Sequence, residues 1–524
     1  MKLTRLIHAV EVDGGGLDVA AGLMAGEDAG GELTVNGLFY RAQEVTPGGG
    51  FVAIKGFAAD GHDYIDQAVQ QGAVAVFCER VVPGSERVAI PVLDGRKAMA
   101  ALAAEFYGHP SRRMTVVGIT GTSGKTTVSY LLESILKAAG VSVGVIGTIN
   151  YRYGGKCFDN PVTTPESLDL QRILAEMADA GVTHVVMEVS SHALDLSRVH
   201  ACDVDVALFT NLSQDHLDFH ETMEVYWASK QRLFTTILPA SKGKVAVRAV
   251  INIDDPRGSE LAGTLALPLL STGKSEKAEI RSGSFQLDPG GIAAVIHTPG
   301  GELKIRSALV GHHNLENILN AIGAAVALGI EENAIRTGIA SLESVPGRLE
   351  RVGDPAGQRF VCVDYAHKPD ALEKALTAVR AVSNGRIICV FGCGGDRDRA
   401  KRPLMGEIAA RLSDLTVVTS DNPRTEPPES IIEQIVKGVA RACDHRFLPD
   451  ALNGGFDRKG YVVVPDRRVA IALGIRASKP EDTVLIAGKG HEPYQIIGKE
   501  KFPFDDRVEA QKVLEALTVD APMR

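Results

Sequence analysis

Apolar residues along this chain follow two rhythms. Short, nearly continuous apolar runs read as buried strands, and runs spaced by three and four read as amphipathic helices. In the middle of the chain, strands are predicted at 114–117, 141–146, 184–188, 206–210 and 245–253. Val128, Leu131, Leu132, Ile135 and Leu136 recur at i, i+3, i+4, i+7 and i+8, which is one face of a helix. Residues 167–180 read as another helix. The alternation returns later, with strands predicted at 360–365, 386–391, 414–419, 461–464 and 483–487. Near the N-terminus, strands at 50–56 and 73–77 flank a helix at 63–72, with turns at Pro47-Gly48-Gly49-Gly50 and Ala59-Asp60-Gly61-His62. Strands alternating with helices imply mainly parallel sheets, with ligands at the C-terminal ends of the strands.

The 524 residues are too many for one ordinary core and suit about three domains. The expected fold is α/β: a small N-terminal α/β domain over 1–109, a central domain on a mostly parallel sheet over 110–343, and a Rossmann-like C-terminal domain over 344–524. His109-Pro110-Ser111-Arg112-Arg113 and Ser344-Val345-Pro346-Gly347-Arg348 read as the linkers. Hydrophobic content of 45% with 23% charged residues is that of a soluble globular protein. A net charge of −9 and no long basic block argue against a nucleic-acid partner. The apolar run 318–330 contains Asn320 and is too short to span a bilayer, so no membrane role is expected. Residues 1–16 lack a signal-peptide core. Seven scattered cysteines without a C-x-x-C pair suit a reducing cytoplasm. A monomer is expected.

The candidate chemistry lies where predicted strands stop. Gly121-Thr122-Ser123-Gly124-Lys125-Thr126-Thr127 joins the 114–117 strand to the Val128–Leu136 helical face. Its glycines let successive N–H groups converge, the helix N-terminus and Lys125 add positive charge, and Thr126 or Thr127 offers a hydroxyl to Mg²⁺. It is a polyphosphate cradle, which makes the central domain P-loop ATPase-type. It is also shorter than the usual G-x-x-x-x-G-K-[ST] loop, because Ile119 stands five places before Gly124.

Glu188 ends a buried strand, where a carboxylate suits Mg²⁺ or a helix N-cap region. Asp215-His216-Leu217-Asp218-Phe219-His220 reads as zinc ligands, as Mg²⁺ helped by a histidine, or as a loop of turn and cap residues. Ser190-Ser191-His192 lacks the elbow of a serine hydrolase, and Gly392-Cys393-Gly394-Gly395 lacks the spacing of a dinucleotide fingerprint. Arg397, Arg399, Lys401 and Arg402 crowd what reads as one loop and Arg424 ends another, an arrangement that fits a small anionic ligand. Lys230, taken alone, is an ordinary helix lysine.

Together these motifs resemble the Mur ligase family, the ATP-dependent enzymes that build the peptidoglycan stem peptide. The resemblance covers nearly the whole chain. It rests on the short phosphate loop, Thr163-Thr164-Pro165, Met187-Glu188-Val189-Ser190-Ser191-His192 and the Asn211 to Asp218 run. His313-Asn314-Leu315-Glu316-Asn317, Pro346-Gly347-Arg348 and Asp364-Tyr365-Ala366-His367 continue it. Within the family, Asp421-Asn422-Pro423-Arg424 is the form associated with meso-diaminopimelate rather than L-lysine. Arg424 can fork onto the extra carboxylate that lysine lacks.

The resemblance implies ATP and Mg²⁺ as cofactors, UDP-MurNAc-L-Ala-D-Glu and meso-diaminopimelate as substrates, and an N-terminal domain that binds the UDP-sugar. It implies that Lys230 is carbamylated, and that Thr126, Glu188, His216 and Lys230 serve the metal. Asn317, Arg348 and Asp364 would join the loop in holding nucleotide. Thr163, Thr164, Ser190 and Arg198 would hold the UDP-sugar peptide. Arg397, Asp421, Asn422, Pro423, Arg424, Gly488 and Glu492 would meet the amino acid, Glu492 through its ammonium. The reaction it implies runs through an acyl phosphate, with Lys125, Glu188, His216 and Lys230 catalytic and the C-terminal domain closing over the central one. This chain departs from the family pattern at Arg41-Ala42-Gln43, where Asp-Ser-Arg is common, and at Val162, where Asn is common. Ligation with L-lysine, and a P-loop kinase or switch, are the alternatives.

Overall fold

The computed structural model of the chain describes residues 1–10, 33–57 and 59–519; residues 11–16 of the N-terminal reading lie outside them. The described residues form two compact units, Met1–Arg281 with Leu319–Gly338, and Ser282–Ile318 with Ile339–Arg524.

The first unit begins with a four-stranded parallel sheet of β1 (Leu38–Phe39), β2 (Gly50–Val52), β3 (Ala75–Cys78) and β4 (Ala89–Pro91), in that order. The strands at 50–56 and 73–77 are therefore present but shorter or shifted. The helix Gly95–Phe106 starts where the Asp94 side chain accepts from the N–H groups of Arg96 and Lys97. It packs against the helix Ser167–Asp179. Polar bonds add to it: Arg96 Nη1 donates to Glu166, just before that helix, at 3.3 Å, and from the end of β1 Tyr40 OH donates to Asp169 at 2.7 Å.

The larger sheet of this unit contains β5 (Thr115–Thr120), β6 (Val143–Ile146), β7 (Asn150–Tyr153), β8 (Lys156–Asp159), β9 (His184–Glu188), β10 (Val206–Phe209), β11 (Arg248–Asn252) and β12 (Leu269–Gly273). Their order is β12-β11-β10-β5-β9-β6-β7-β8. The stretch from β12 to β6 is parallel, and β7 and β8 add an antiparallel edge that carries the exposed Cys157. The predicted apolar face of Val128, Leu131, Leu132, Ile135 and Leu136 is buried in full on the helix Lys125–Ala138. Val116, Val185, Met187, Ala207, Phe209 and Ala249 fill the core between sheet and helices.

The second unit contains the antiparallel pair β14 (Gly291–Thr298) and β15 (Gly301–Ser307), preceded by β13 (Ile280–Asp288), which starts in the first unit. Its main sheet holds β16 (Glu350–Val352), β17 (Phe360–Asp364), β18 (Ile387–Phe391), β19 (Leu415–Val418), β20 (Gly460–Val463) and β21 (Thr483–Ala487). The order is β16-β17-β21-β18-β19-β20, parallel except for β16. Because strand side chains alternate, Cys362, Ile387, Cys389 and Phe391 enter one core, and Val361, Val363, Ile388 and Val390 enter the other. Helices therefore cover both faces, as the uninterrupted apolar runs require. A hairpin of β22 (Tyr494–Ile497) and β23 (Glu500–Pro503) follows β21.

Candidate active site

In the first unit the polar residues gather at the C-terminal ends of β5, β6, β9 and β10. The chain leaves β5 at Gly121 with φ of 146°, and a Cβ there would fall 1.9 Å from Thr210 Oγ1. Only glycine fits. Gly124, at φ of 88°, occupies the N-cap of the next helix. The loop is braced from β10: Thr122 N donates to Asn211 O at 2.8 Å, Ser123 N to Asn211 Oδ1 at 3.0 Å, and Thr210 Oγ1 to Ser123 O at 2.7 Å. Thr122 Oγ1 is 3.1 Å from Tyr226 OH. Lys125 Nζ curls back onto Gly121 O and Thr122 O at 2.9 and 3.0 Å. Thr127, one place past Thr126, is buried.

Lys230 is not an ordinary helix lysine. Its side chain is buried, and Nζ donates to Gly121 O at 2.7 Å, the carbonyl that also receives Lys125. Burial first, and the charge of Lys125 second, hold its ammonium well below the usual lysine range. The α-helix that carries it, Met223–Arg232, passes directly into a π-helical turn, Leu233–Ile237. A buried, readily neutral amine is the nucleophile that carbamylation by CO₂ requires.

Glu188 is the hub. Its Oε2 accepts from Thr126 Oγ1 at 3.0 Å and Thr148 Oγ1 at 2.8 Å, and its Oε1 from Thr148 N at 3.1 Å. Thr148 Oγ1 in turn lies 3.1 Å from Thr163 Oγ1. A second line starts at the backbone: Thr164 Oγ1 donates to Glu188 O at 2.8 Å and accepts from Ser190 N at 3.1 Å. Arg198 Nη1 donates to Thr164 O at 2.9 Å, and Nη2 to Glu166 at 2.7 Å. The structure thus joins Thr126, Glu188, Thr163, Thr164, Ser190 and Arg198 in one connected cluster. A carboxylate among hydroxyls is a hard-oxygen corner of the kind Mg²⁺ takes.

His216 has φ of 53° and packs its ring edge-on to His192 at 4.9 Å, with Asp215 3.3 Å away. Residues 217–220 form a short helix, and His220 Nε2 meets Ser191 Oγ at 2.9 Å. Among the described residues no group of three or more His, Cys, Asp or Glu is placed to hold a metal ion, so the zinc reading of 215–220 is set aside. The Phe219 ring meets the Phe57 ring edge-on at 5.7 Å. Phe57 lines a cavity of about 520 Å³ with Lys55, Glu79, Asp94 and Arg96. A different cavity, of about 580 Å³, lies at the opposite, N-terminal strand ends, and its buried Lys244 is spent on Ser111 O, Met114 O and Asp205.

In the second unit, strand ends gather the remaining candidates. Asp364 ends β17, with Oδ2 accepting from Leu349 N at 2.7 Å and Oδ1 from Ala366 N at 2.9 Å. Burial raises its pKa while Arg348 opposes the rise. Arg348 lies over the Tyr365 ring at 5.4 Å, and Asn317 Nδ2 donates to Asn314 at 3.0 Å. His367 and His491 flank Tyr365, and burial lowers both to about 4.

Beyond β19, Asp421, Asn422 and Pro423 are buried. Asn422 Nδ2 donates to Glu492 at 2.9 Å, and its Oδ1 accepts from Lys489 Nζ at 3.0 Å. Lys489 Nζ is 3.5 Å from the Glu492 carboxylate. Gly488, at φ of 119°, leaves room for Asp421, whose Oδ2 would lie 2.4 Å from a Cβ. Arg424 has φ of 51° and donates to Gly395 O at 2.8 Å.

The basic cluster needs correction. Lys401 and Arg402 open the helix Lys401–Leu412 and do not belong to a loop. Arg402 is fully buried on Glu426, which its fork holds down at about 2, and Lys401 Nζ donates to His367 O at 2.8 Å. Arg397 and Arg399 alone stay exposed in the loop. Thr148 and Lys489 were missed as site residues. Each lies one or two residues past a strand end, the position where the sheet rule would have found them.

Comparison with known proteins follows the same layout. Residues 34–107 match the Mur ligase family, catalytic domain; 119–325 match the Mur ligase middle domain; and 347–490 match the Mur ligase, glutamate ligase domain. The chain is 49% identical to a UDP-N-acetylmuramoyl-L-alanyl-D-glutamate--2,6-diaminopimelate ligase of Geobacter metallireducens, over 94% of this chain and 96% of that one. It is 44% identical to the ligase of the same name from Geobacillus thermodenitrificans, over 93% and 96%. A solved structure of a ligase of that name superposes with a TM-score of 0.67 at 29% identity, covering 92% and 95% of the two chains. A MurF ligase from Thermotoga maritima in complex with ADP shares the fold, at a TM-score of 0.59 and 23% identity over 93% and 99%.

Proposed function

The chain belongs to the Mur ligase family, and from that premise we propose that it joins meso-diaminopimelate to the D-glutamate γ-carboxylate of UDP-MurNAc-L-Ala-D-Glu. It is an ATP-dependent, ADP-forming amide ligase of peptidoglycan precursor synthesis. The observation that carries the choice of amino acid is the Asn422-Pro423-Arg424 corner in a chain 49% identical to a diaminopimelate ligase. We assign the UDP-sugar to the domain over 1–109, ATP to 110–343 and the amino acid to 344–524. The enzyme is proposed to act in the cytoplasm as a monomer, in keeping with its free cysteines; no described helix is long and apolar enough to cross a membrane.

The γ-carboxylate oxygen attacks the γ-phosphorus of ATP, ADP leaves, and an acyl phosphate forms. The amine of diaminopimelate attacks the acyl carbon and loses a proton, and inorganic phosphate leaves as the amide forms. Phosphoryl transfer of this kind needs position and charge more than covalent help. Gly121 to Thr127 would offer backbone N–H groups to the β- and γ-phosphates, and Lys125 would swing from its carbonyls onto them. Asn317, Arg348 and Asp364 would hold the rest of the nucleotide.

Thr126, Glu188, His216 and Lys230 as its carbamate would hold Mg²⁺, which neutralises phosphate charge when bound. Thr163, Thr164, Ser190 and Arg198 would orient the peptide end of the nucleotide-sugar. The cavity lined by Lys55, Phe57 and Arg96 suits its uridine diphosphate end, in a chain where Ala42 replaces the family's serine. Arg424 and Arg397 would take the far carboxylate of diaminopimelate, and Glu492 its ammonium, against the scaffold of Asp421, Asn422, Pro423 and Gly488.

Purified protein is expected to release ADP only when both UDP-MurNAc-L-Ala-D-Glu and meso-diaminopimelate are present. Equal turnover with L-lysine would defeat the assignment of the amino acid, and ATP turnover without an amide product would return the chain to the kinase or switch class.

A further inference from the structure

Arg402 is among the largest fully buried side chains of the protein. It sits in the first turn of the helix Lys401–Leu412, which has no acidic residue there, so the helix dipole opposes its charge. A fully buried arginine is seldom the cheapest filling for a core even when a carboxylate meets it, since apolar residues of similar volume often serve as well or better. Neither the helix nor the core accounts for this arginine.

Its bonds run to the two loops that carry Arg397 and Arg424, and to Gln434 on the helix Pro428–Val439. Nη1 donates to Glu426 Oε2 at 3.0 Å and Gln434 Oε1 at 3.1 Å, and Nη2 to Glu426 Oε1 at 2.8 Å and Gly394 O at 3.2 Å. Glu426 Oε1 also accepts from Asp396 N at 2.6 Å. Thr425 Oγ1 donates to Asp396 Oδ1 at 2.8 Å. Gly395 N donates to Asn422 O at 2.9 Å, while Arg424 Nη1 reaches back to Gly395 O at 2.8 Å. The loops touch so closely that a Cβ on Gly395 would lie 1.8 Å from Pro423 O. Arg402, fully buried, and Glu426, partly exposed, anchor this seam.

We propose that Arg402, paired with Glu426, is a positioning residue that fixes the spacing between Arg397 and Arg424 and thereby selects an amino acid with a carboxylate at its far end. The proposal rests on the reading of Arg424 given above. Two guanidinium forks can share one carboxylate only if their loops are held to a fraction of an ångström. The Arg424 backbone is pinned to β22, with Arg424 N donating to Ile496 O at 3.1 Å and Gly498 N to Arg424 O at 2.8 Å, so it is the Arg397 loop that has to be fixed against it through Arg402 and Glu426.

Three variants test this. Arg402→Lys keeps the charge and loses the fork, Glu426→Gln keeps the shape and loses the charge, and Thr425→Ala removes an exposed stitch without touching the core. ADP release is measured with ATP, UDP-MurNAc-L-Ala-D-Glu and either meso-diaminopimelate or L-lysine. The KM for diaminopimelate should rise roughly tenfold to a hundredfold in the first two variants and about threefold in the third. The preference over lysine should fall in the same order, with kcat and the KM for ATP near wild type. An unmoved KM for diaminopimelate, or an equal rise for all three substrates, overturns the inference. Should Arg402→Lys not fold, the other two variants decide by the same criteria. Wild-type protein that uses lysine as readily as diaminopimelate would instead overturn the reading of Arg424, and this inference with it.

Discussion

At the end of β5 the groups around the phosphate loop are mostly backbone and hydroxyl, while at the ends of β18, β19 and β21 they are charged side chains tied to one another. Both sets stand where parallel strands stop. The difference follows from what each has to read. A polyphosphate is the same in every nucleotide, so converging N–H groups and one lysine recognise it, and glycine is required at Gly121, where a Cβ would lie 1.9 Å from Thr210 Oγ1. An amino acid differs from its competitors by one carboxylate, so recognition falls to forks such as Arg424, and a fork is only as selective as its mounting. The first site is shaped by a loop contiguous in sequence. The second is assembled from segments that run from Gly394 to Glu492 and is held by ion pairs of buried cations, Arg402 with Glu426 and Lys489 with Glu492.

If that division is right, damage to the first site should abolish chemistry and leave amino-acid binding alone. Lys125→Met is expected to lower kcat for ADP release about 10³-fold or more while calorimetry finds diaminopimelate binding little changed. A parallel loss of that binding would break the division. Lys230→Ala should cost about 10²- to 10³-fold. In wild-type protein, ¹³C-bicarbonate should give a carbamate resonance that the variant lacks. Full activity in the variant would remove Lys230 from the machinery.

Arg424→Lys should act oppositely, raising the KM for diaminopimelate about a hundredfold with kcat held within a few-fold. A drop in kcat with an unmoved KM would place Arg424 in the chemistry.

The smallest expected effect is on stability. His367 and His491 sit in the second unit with pKa values lowered by burial from the ordinary 6.5 to about 4. The native state resists the proton that the unfolded state accepts, so their contribution is whole above about 6.5 and is lost as pH falls toward about 4. Hydrogen exchange should show peptides around 360–370 and 485–495 losing protection over that window before those of β5 and β9. Uniform loss in both units would show the histidines to be irrelevant.

The parts legible in the sequence are those with short-range causes. β9 and β21 have the bounds that their apolar runs predict, and the parallel strands beside them agree within a few residues. The phosphate loop could be read because strand, glycines, lysine and helix are adjacent. The hairpins β7–β8 and β22–β23 went unread, since mixed polar residues on antiparallel edges give no long apolar run, and β14–β15 went unread although β14 carries the apolar run 292–296. The π-turn after Lys230 has no compositional signal either. The site partners hardest to foresee are joined only by the fold: Thr148 to Glu188 across 40 positions, and Arg402 to Glu426 across 24. In sequence Arg402 reads as one more cation for an anionic ligand beside Arg397, Arg399 and Lys401, because a charge run carries no mark of which member turns inward.

The seam at Gly395 also bears on how such an enzyme could be retuned. Any side chain at that position would have to push against Pro423 O, which is backbone and cannot rotate away. Mutational routes to a new amino-acid preference through that seam are closed at its centre and open only at its rim, at Arg397 on one loop and Arg424 on the other. A library that randomises those two positions while leaving Gly395, Arg402 and Glu426 fixed would search specificity on an intact frame. One that randomises the whole loop would spend most of its members on chains with the frame undone.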